Sequence, residues 1–297
     1  MNRQPPTKFS AWVLAARPRT LPAAAAPVLI GTGLALRDGQ FDAINAAAAF
    51  FIAMLLQIGA NFANDLFDHE RGTDTPARLG PLRVTAQGWL SPLEMRFGMG
   101  LVFGLSALLG LVLYLDKGWP VLAVGIAAIL AALAYTGGPF PYGYHALGDI
   151  FVFIFFGLVA VAGTYFVQAG EVTLLVWLAS IPIGLLIVNI LVVNNLRDIP
   201  TDAAANKRTL AVLLGRRAMQ LEYLICLLGA YLVPLLLALS GLLSYWILLT
   251  WISLPQAWSL YRLLQKTEGA ALNVALAYTA QLSLVYAALF AAGSLFR

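Results

Sequence analysis

The amino-acid sequence predicts an all-α, polytopic membrane protein with nine transmembrane helices. Of its 297 residues 61% are hydrophobic and only 11% are charged, whereas soluble domains carry roughly 25% charged residues. The apolar residues form runs of roughly 17 to 25 positions, the length that crosses about 30 Å of hydrocarbon. These runs lack the period-two alternation of a barrel strand, and lipid offers the backbone no hydrogen-bond partners, so helices are expected.

The nine predicted spans follow one another with short polar connections. They cover residues 20–36, 43–64, 93–115, 119–136, 147–169, 173–195, 219–240, 243–261 and 272–296. The polar segment 1–19 precedes the first span, and the eight later spans argue against a signal peptide. No linker or low-complexity tract interrupts the pattern. We therefore expect residues 1–297 to form a single transmembrane domain.

Basic residues are concentrated in alternate connections. Most of the 18 lysines and arginines lie in segment 1–19 and in the connections after the second, sixth and eighth spans. The positive-inside rule then places the N-terminus in the cytoplasm and the C-terminus outside. This topology accounts for the basic residues behind the net charge of +4. The apolar spans make a lipid bilayer the expected partner. No nucleic acid and no obligate protein partner is predicted.

The end of the second predicted span is unusually polar. Four positions with helical spacing carry amides or carboxylates: Asn61, Asn64, Asp65 and Asp68. At about 100° per residue they share one helical face. Because ionisable groups beside a span are expensive to bury, they indicate a functional site.

The end of the sixth predicted span repeats this pattern. Its polar positions also fall within an arc of about 100°, and they are Asn194, Asn195, Asp198 and Asp202. Both clusters lie on the predicted cytoplasmic side, so they are expected to be two halves of one site. Either cluster alone could be a set of solvated ion pairs, each contributing about 0–1 kcal/mol.

The chemistry of these side chains favours a magnesium ion and a diphosphate. Facing carboxylates repel each other unless a cation lies between them, and hard oxygen ligands suit Mg²⁺. Mg²⁺ shares its coordination shell readily with phosphate oxygens. The same connections carry donors for phosphate, namely Arg71, Arg78, Arg83, Arg197, Lys207 and Arg208. The expected ligand is a diphosphate whose organic part extends into lipid.

Other side chains are given no chemical role, or only a conditional one. His69 and His145 are expected to be interfacial, and Cys226 is expected to pack as a small apolar residue. Tyrosine rings near the end of the fourth span could stabilise a cation or simply lie at the interface; they are Tyr135, Tyr142 and Tyr144. A cation-coupled transporter and a non-catalytic membrane scaffold remain alternatives.

The two acidic segments resemble the aspartate-rich motifs of the UbiA superfamily of intramembrane prenyltransferases. The first segment reads NDLFDHERGTD at 64–74, and the second reads NNLRDIPTD at 194–202. The strings RPRTLP at 17–22, GPLR at 80–83 and YTGGP at 135–139 are most similar to bacterial 1,4-dihydroxy-2-naphthoate prenyltransferases of menaquinone synthesis. The resemblance covers about residues 17–217.

The resemblance implies nine helices around a central cavity beneath cytoplasmic cap loops, in a bacterial inner membrane. It implies Mg²⁺-dependent transfer of a polyprenyl group from polyprenyl diphosphate to 1,4-dihydroxy-2-naphthoate, or to another aromatic acceptor such as 4-hydroxybenzoate. The implied metal ligands are Asp65, Asp68, Asp198 and Asp202, and these residues with Tyr135 are the implied catalytic group. The implied substrate-binding residues are Asn61, Asn64, Arg71, Asp74, Arg83, Tyr142, Tyr144, Asn194, Arg197, Lys207 and Arg208.

Two positions depart from the superfamily pattern. The third acid of the first motif would fall at position 72, which is Gly72, and the next acid is Asp74. Many relatives place a lysine shortly after the tyrosine of the connection between the fourth and fifth spans, but Tyr135 is followed by Thr-Gly-Gly-Pro. Arg83, Lys207 or Arg208 would then supply positive charge to the diphosphate.

Overall fold

The computed structural model describes residues 5–74 and 78–296, and in these ranges the chain is all-helical. The α-helices are α1 (Lys8–Ala16), α2 (Pro22–Arg37), α3 (Ala43–Glu70), α4 (Pro92–Lys117), α5 (Trp119–Ala134), α6 (Gly148–Ala169), α7 (Leu174–Ala204), α8 (Leu210–Leu239), α9 (Leu254–Lys266) and α10 (Leu272–Ser294). Short 3-10 helices cover Pro18–Thr20, Tyr142–Tyr144, Tyr245–Ser253 and Gly269–Ala271.

The helix lengths identify a multi-pass membrane protein. Six helical segments in the described ranges are long and apolar enough to cross a bilayer, and they include α3, α4, α6, α7, α8 and α10. A seventh is counted if the pair α1 and α2, bent by 52°, is one span. Helix α5 is apolar but has only 16 residues, which at 1.5 Å per residue is about 24 Å. The structure thus confirms a helical, polytopic protein.

Several helix boundaries differ from the predicted spans. Helices α3 and α7 continue to Glu70 and Ala204, beyond the predicted ends at 64 and 195, so both acidic clusters lie on final helical turns. The predicted eighth span is not one continuous α-helix. It is a 3-10 helix, Tyr245–Ser253, followed by α9 with a proline in its first turn, where the missing N–H of proline is tolerated.

The N-terminal segment that precedes the first predicted span contains a packed helix, α1. The ring of Trp12 on α1 lies 5.3 Å from the ring of Phe62 on α3. A Cβ at Gly98 would lie 2.4 Å from the same indole, so α4 approaches closely because this position is glycine. Helix α1 therefore closes one side of the bundle.

The main hydrophobic core lies between α2, α6, α7, α8 and α10. Helix α6 contains a π-helical turn, Phe153–Val159. Within that turn a Cβ at Gly157 would lie 2.6 Å from the Cα of Gly184 on α7. This close approach joins α6 to α7, so both helices can line a cavity on their other side.

Two connections cover the ends of α3 and α7. We call residues 78–90, between α3 and α4, the first cap segment, and residues 135–147, between α5 and α6, the second cap segment. The first contributes Val84 and Leu90 to a cluster with Leu66 of α3. The second contains the 3-10 turn Tyr142–Tyr144. Buried side chains thus fix both segments over the bundle.

Candidate active site

A cavity of about 950 Å³ lies beneath the cap segments. Most of its wall is apolar and comes from α2 to α7, including Leu56, Ile129 and Phe155. On α5, Leu122 and Ile126 line the cavity although they are 47% and 51% exposed, so the wall is thin there. Polar and charged side chains gather at the cap end. The cavity therefore combines a charged end with a long apolar space.

One stripe of α3 leads from the apolar wall to the charged end. Gln57, Asn61, Asn64 and Asp68 all line the cavity, because their spacing places them on one helical face. The amide of Asn61 donates to Ala16 O at 2.9 Å, and Oδ1 of Asn64 accepts from the Thr136 hydroxyl at 3.0 Å. These contacts fix the polar face of α3 against α1 and the second cap segment.

Asp68 is held by groups from both cap segments. Its Oδ1 accepts a hydrogen bond from the Tyr144 hydroxyl at 2.8 Å, and its Oδ2 accepts from Arg83 Nη2. Asp68 and Arg83 are both about 95% buried. Burial raises the pKa of the Tyr144 hydroxyl above its ordinary value, and the charge of Asp68 acts in the same direction. Tyr144 therefore remains protonated and donates to Asp68.

Asp65 turns toward the first cap segment. Its Oδ2 accepts from Val84 N at 3.1 Å, and its Oδ1 accepts from Thr85 N at 3.0 Å. With both oxygens engaged by main-chain N–H groups and only 1% exposure, this carboxylate orders the cap. Its position differs from the expectation that it points into the site beside Asp68.

Asp198 forms the matching ion pair on α7. Arg197 donates to its Oδ1 through Nε at 2.8 Å and to its Oδ2 through Nη2 at 2.5 Å. The same Nη2 reaches Oδ1 of Asn194 at 2.8 Å. Asp198 and Asn194 line the cavity, whereas Arg197 is 1% exposed and directed to protein partners.

Asp202 and Lys207 face each other at the end of α7. Lys207 Nζ lies 3.7 Å from Asp202 Oδ1, and both residues line the cavity. Oδ2 of Asp202 is buried without a hydrogen-bond partner among the described residues. Lys207 also lies over the Tyr144 ring at 5.1 Å. This corner therefore offers both a free carboxylate oxygen and a cation.

Aromatic rings line the same cavity as the charged groups. Tyr135 and Tyr142 line the cavity and pack edge to face with ring centres 5.3 Å apart. Tyr142 stacks on Phe151 at 4.0 Å, and its hydroxyl donates to Ala131 O at 2.9 Å. Ring faces attract cations, so this arrangement can stabilise positive charge near the carboxylates.

Asp74 belongs to the cap rather than to the cavity wall. Its Oδ1 accepts from Arg78 Nη1 at 2.6 Å and lies 3.5 Å from Arg83 Nε. Burial raises the pKa of Asp74 to about 7, although Arg78 acts in the opposite direction. Oδ2 has no hydrogen-bond partner among the residues that the structure describes.

The structure brings together many of the residues predicted to form the site. Those that line the cavity are Asn61, Asn64, Asp68, Arg78, Arg83, Tyr135, Tyr142, Asn194, Asp198, Asp202 and Lys207. The other predicted residues support the cavity from behind or from its rim. Arg71 donates to Thr136 O at 3.0 Å, and the Arg208 main-chain N–H donates to Tyr144 O at 2.9 Å.

Sequence reasoning assigned no role in the site to Arg17, Thr20 or Gln57, although all three line the cavity. Arg17 ends α1 in a left-handed conformation, φ 51°, which turns the chain at the bend before α2. Gln57 lies one turn before Asn61 on the same face of α3, so extending the helical stripe backwards would have found it. Its Oε1 is buried without a partner among the described residues.

The donor set fits Mg²⁺ in combination with a phosphorylated ligand. Asp68, Asp198 and Asp202 present carboxylates to one cavity, and Mg²⁺ is commonly bound by one or two carboxylates plus substrate phosphates. Among the described residues, no group of three or more His, Cys, Asp or Glu side chains is placed to hold a metal alone. The ligand's phosphate oxygens would therefore complete the coordination.

These features define a class of intramembrane helical protein with carboxylates and cations at the mouth of an apolar cavity. Over residues 24–285 the sequence matches the UbiA prenyltransferase family. A 1,4-dihydroxy-2-naphthoate octaprenyltransferase of Mycobacterium tuberculosis is 44% identical over 232 residues, which cover 77% of this chain and 79% of that protein. The chain therefore belongs to the UbiA prenyltransferase family.

Solved structures support the same fold. A UbiA homologue from Aeropyrum pernix, solved in its apo form, superposes with a TM-score of 0.70 at 16% identity and covers 91% of this chain and 96% of its own. A UbiA homologue from Archaeoglobus fulgidus, bound to GPP and Mg²⁺, superposes with a TM-score of 0.60 at 14% identity. It covers 94% of this chain and 99% of its own.

Proposed function

We propose that this chain transfers a polyprenyl group from polyprenyl diphosphate to 1,4-dihydroxy-2-naphthoate. The products would be demethylmenaquinol, diphosphate and carbon dioxide. The observation that carries this proposal is the shape and lining of the cavity, charged at one end and apolar along the rest, which matches a diphosphate joined to a hydrocarbon. The 44% identity to a 1,4-dihydroxy-2-naphthoate octaprenyltransferase supports the choice of acceptor.

The charged end would bind the diphosphate. Asp68, Asp198 and Asp202 are the proposed Mg²⁺ ligands, and their shared access to the cavity supports this role. Bound Mg²⁺ would neutralise the negative charge that develops on the leaving diphosphate. Arg83 and Lys207 supply N–H donors to phosphate oxygens at the same end.

Four other predicted residues would hold the cap or orient a metal ligand without touching the diphosphate. Asp65 and Asp74 would order the first cap segment through the contacts described above. Arg197 would orient Asp198, and Tyr144 would orient Asp68. These assignments retain the predicted residues in the site but separate those that touch the ligand from those that hold them.

Bond cleavage would separate charge inside the cavity. When the allylic C–O bond breaks, its electron pair leaves with the diphosphate and the prenyl carbon becomes cationic. The rings of Tyr135 and Tyr142 line the same cavity, where they can stabilise that cation. The apolar wall excludes water and protects the cation from hydrolysis.

The acceptor would approach the cation from the α3 side. Gln57 Nε2 donates to the Thr20 hydroxyl at 3.3 Å, while Oε1 of Gln57 can accept from an acceptor hydroxyl. Electrons of the naphthalene ring then form the new C–C bond. Loss of the carboxylate as carbon dioxide returns its bonding electrons to the ring and restores aromaticity.

We also propose nine membrane crossings, a cytoplasmic N-terminus and a cytoplasmic active site in a bacterial inner membrane. This topology counts α1 with α2, the short helix α5, and the 3-10 helix with α9 as one crossing each. The concentration of lysine and arginine on the side of segment 1–19 and the cap segments supports this orientation.

A competition between acceptors tests the proposed reaction. Purified protein in liposomes would receive Mg²⁺, polyprenyl diphosphate and equal amounts of 1,4-dihydroxy-2-naphthoate and 4-hydroxybenzoate. Mass spectrometry should find the prenylated naphthalene product, and Asp68→Ala or Asp198→Ala should abolish it while the protein remains inserted. Predominant prenylation of the benzoate would assign a sister prenyltransferase, and solute uptake without any prenylated product would favour a transporter.

A further inference from the structure

A side chain that is distant in the sequence from both acidic motifs connects the second motif to the first cap segment. Asn273 lies in the first turn of α10, in a region where the sequence showed only hydropathy. Its Oδ1 accepts a hydrogen bond from Arg197 Nη1 at 2.8 Å. Its Nδ2 donates to Leu79 O at 3.0 Å and to Ala270 O at 2.9 Å. One amide thus joins α7, α10 and the first cap segment.

Each of the three nitrogen atoms of the Arg197 guanidinium donates a hydrogen bond. Its Nε and Nη2 bind Asp198, its Nη2 also binds Asn194, and its Nη1 binds Asn273. A guanidinium that is 1% exposed needs such partners, because an unpaired buried charge is strongly destabilising. The orientation of Asp198 therefore depends on an amide carried by a different helix.

The first cap segment lies directly on this guanidinium. A Cβ added to Gly80 would lie 2.6 Å from Arg197 Nη2 and 2.9 Å from Cζ. Any larger residue would push the backbone of the segment away from α7. Leu79 and Gly80 are thus fixed to the same group, one by a hydrogen bond through Asn273 and the other by close packing.

We propose that Asn273 is a positioning residue that keeps the first cap segment closed over the diphosphate site. By accepting from Arg197 it maintains the orientation of Asp198, and by donating to Leu79 O it holds the chain that leads to Arg83. The position of Asp198 on α7, and that of Arg83, which contacts Asp68 on α3, would thus both depend on one amide on α10. This inference rests on the proposed diphosphate site, but it concerns the closure of the cap and not the acceptor.

Two variants separate the two halves of this contact. Asn273→Ala removes both the acceptor for Arg197 and the donor to Leu79. Asn273→Asp keeps an oxygen for Arg197 and loses the donor to Leu79 O, together with the local bond to Ala270 O. Gly80→Ala displaces the cap from the opposite side and leaves Asn273 intact, so it remains informative if Asn273→Ala fails to fold. Gln265→Ala and Gly100→Ala are matched controls, because Gln265 is exposed and nothing lies within 4 Å of a Cβ at Gly100.

The first measurement is hydrogen–deuterium exchange of purified full-length protein in nanodiscs. In Asn273→Ala, Asn273→Asp and Gly80→Ala, the main-chain amides of Val84 and Thr85, which donate to Asp65, should exchange several-fold faster, because the segment that carries them is no longer held against α7. Peptides from α6 and α8 should be unchanged. Equal acceleration across the whole protein, or no acceleration in the cap, would overturn the proposal.

The second measurement uses inorganic diphosphate with Mg²⁺ as the probe, so it does not depend on the identity of the acceptor. Its dissociation constant should rise about tenfold in Asn273→Ala and Gly80→Ala, with no change in the two controls. The double variant Asn273→Ala/Gly80→Ala should bind diphosphate no less tightly than the single variant with the lower affinity, because both substitutions disturb one contact. Unchanged diphosphate binding in both single variants would refute the role of Asn273, even if prenyl transfer itself were confirmed.

Transfer kinetics provide the third measurement. The KM for polyprenyl diphosphate should rise about tenfold in Asn273→Ala while kcat changes little, as expected when a residue supports binding rather than the chemical step. Asn273→Asp should recover part of the loss because Arg197 keeps its acceptor. A fall in kcat at unchanged KM would contradict the proposal.

Discussion

The Tyr144 hydroxyl donates to Oδ1 of Asp68 at 2.8 Å, although the two residues are 76 positions apart. The contact joins the second cap segment to the final turns of α3. Oδ2 of the same carboxylate is held by Arg83 of the first cap segment. Asp68 is therefore the point at which both cap segments meet the cavity.

Removing this hydroxyl should weaken catalysis without unfolding the protein. Tyr144→Phe deletes a hydrogen bond to a carboxylate, worth about 1.5–3 kcal/mol, and leaves Asp68 held by Arg83 on one oxygen only. We expect kcat/KM for prenyl transfer to fall at least about tenfold. Tyr278→Phe, at a position that is 50% exposed, is the control. Equal kinetics in both variants would show that the hydroxyl does not orient Asp68.

The two acids of the first motif should respond differently to the same substitution. Asp68→Asn should reduce transfer by about a thousandfold or more, because a ligand of the metal that stabilises the leaving group is lost. Asp65→Asn should mainly lower the melting temperature, since the amide can accept only one of the two main-chain hydrogen bonds. Titration of activity with Mg²⁺ distinguishes them. Asp65→Asn should keep the wild-type midpoint, and a large shift would return Asp65 to the metal site.

Arg17 should contribute to substrate binding although it lies outside both motifs. It lines the cavity, whereas neighbouring Arg19 is exposed. Arg17→Ala should raise the KM for polyprenyl diphosphate about tenfold, the loss expected for a charge-assisted hydrogen bond. Arg17→Lys should recover part of that loss. Arg19→Ala is the control, and an equal rise in KM there would indicate a general effect of surface charge.

The stability of the cap should depend on pH near neutrality. Burial raises the pKa of Asp74 to about 7 from its ordinary value of 3.8, so the folded protein binds this proton more tightly than the unfolded chain. The associated stabilisation is fully present below about pH 4 and is lost as the pH rises through about 7. Asp74→Asn removes this titration. The melting temperature of the variant relative to wild type should therefore rise between pH 5 and pH 8, and a parallel pH dependence of the two proteins would contradict the assignment.

The sequence was sufficient for the helical membrane class and for the pairing of the two acidic clusters. Hydropathy and helical spacing depend on neighbouring residues, so they can be read locally. The roles of the individual acids within a cluster cannot be predicted in this way, because Asp65 and Asp68 differ only in the groups that lie opposite them in the folded protein. Asp65 meets main-chain N–H groups of the first cap segment, whereas Asp68 meets Tyr144 and the cavity.

Tertiary contacts also determine which of the predicted diphosphate donors face the cavity. Arg83 and Arg197 have equal charge, yet Arg83 lines the cavity and Arg197 is enclosed by Asp198, Asn194 and Asn273. Asn273 itself gave no local signal, because a single amide near the start of an apolar helix has many uses. Only the folded chain shows that it faces Arg197.

The thin wall at α5 has a practical consequence for the choice of solvent. This helix has no fully buried residue, and Leu122 and Ile126 contact the cavity on one side while remaining accessible on the other. An alkyl-chain detergent would meet the same surface as a prenyl chain and compete with it for the apolar space. Measured affinities in micelles should therefore fall as detergent tails lengthen, whereas nanodiscs of defined lipid would report the affinity that the enzyme has in its own bilayer.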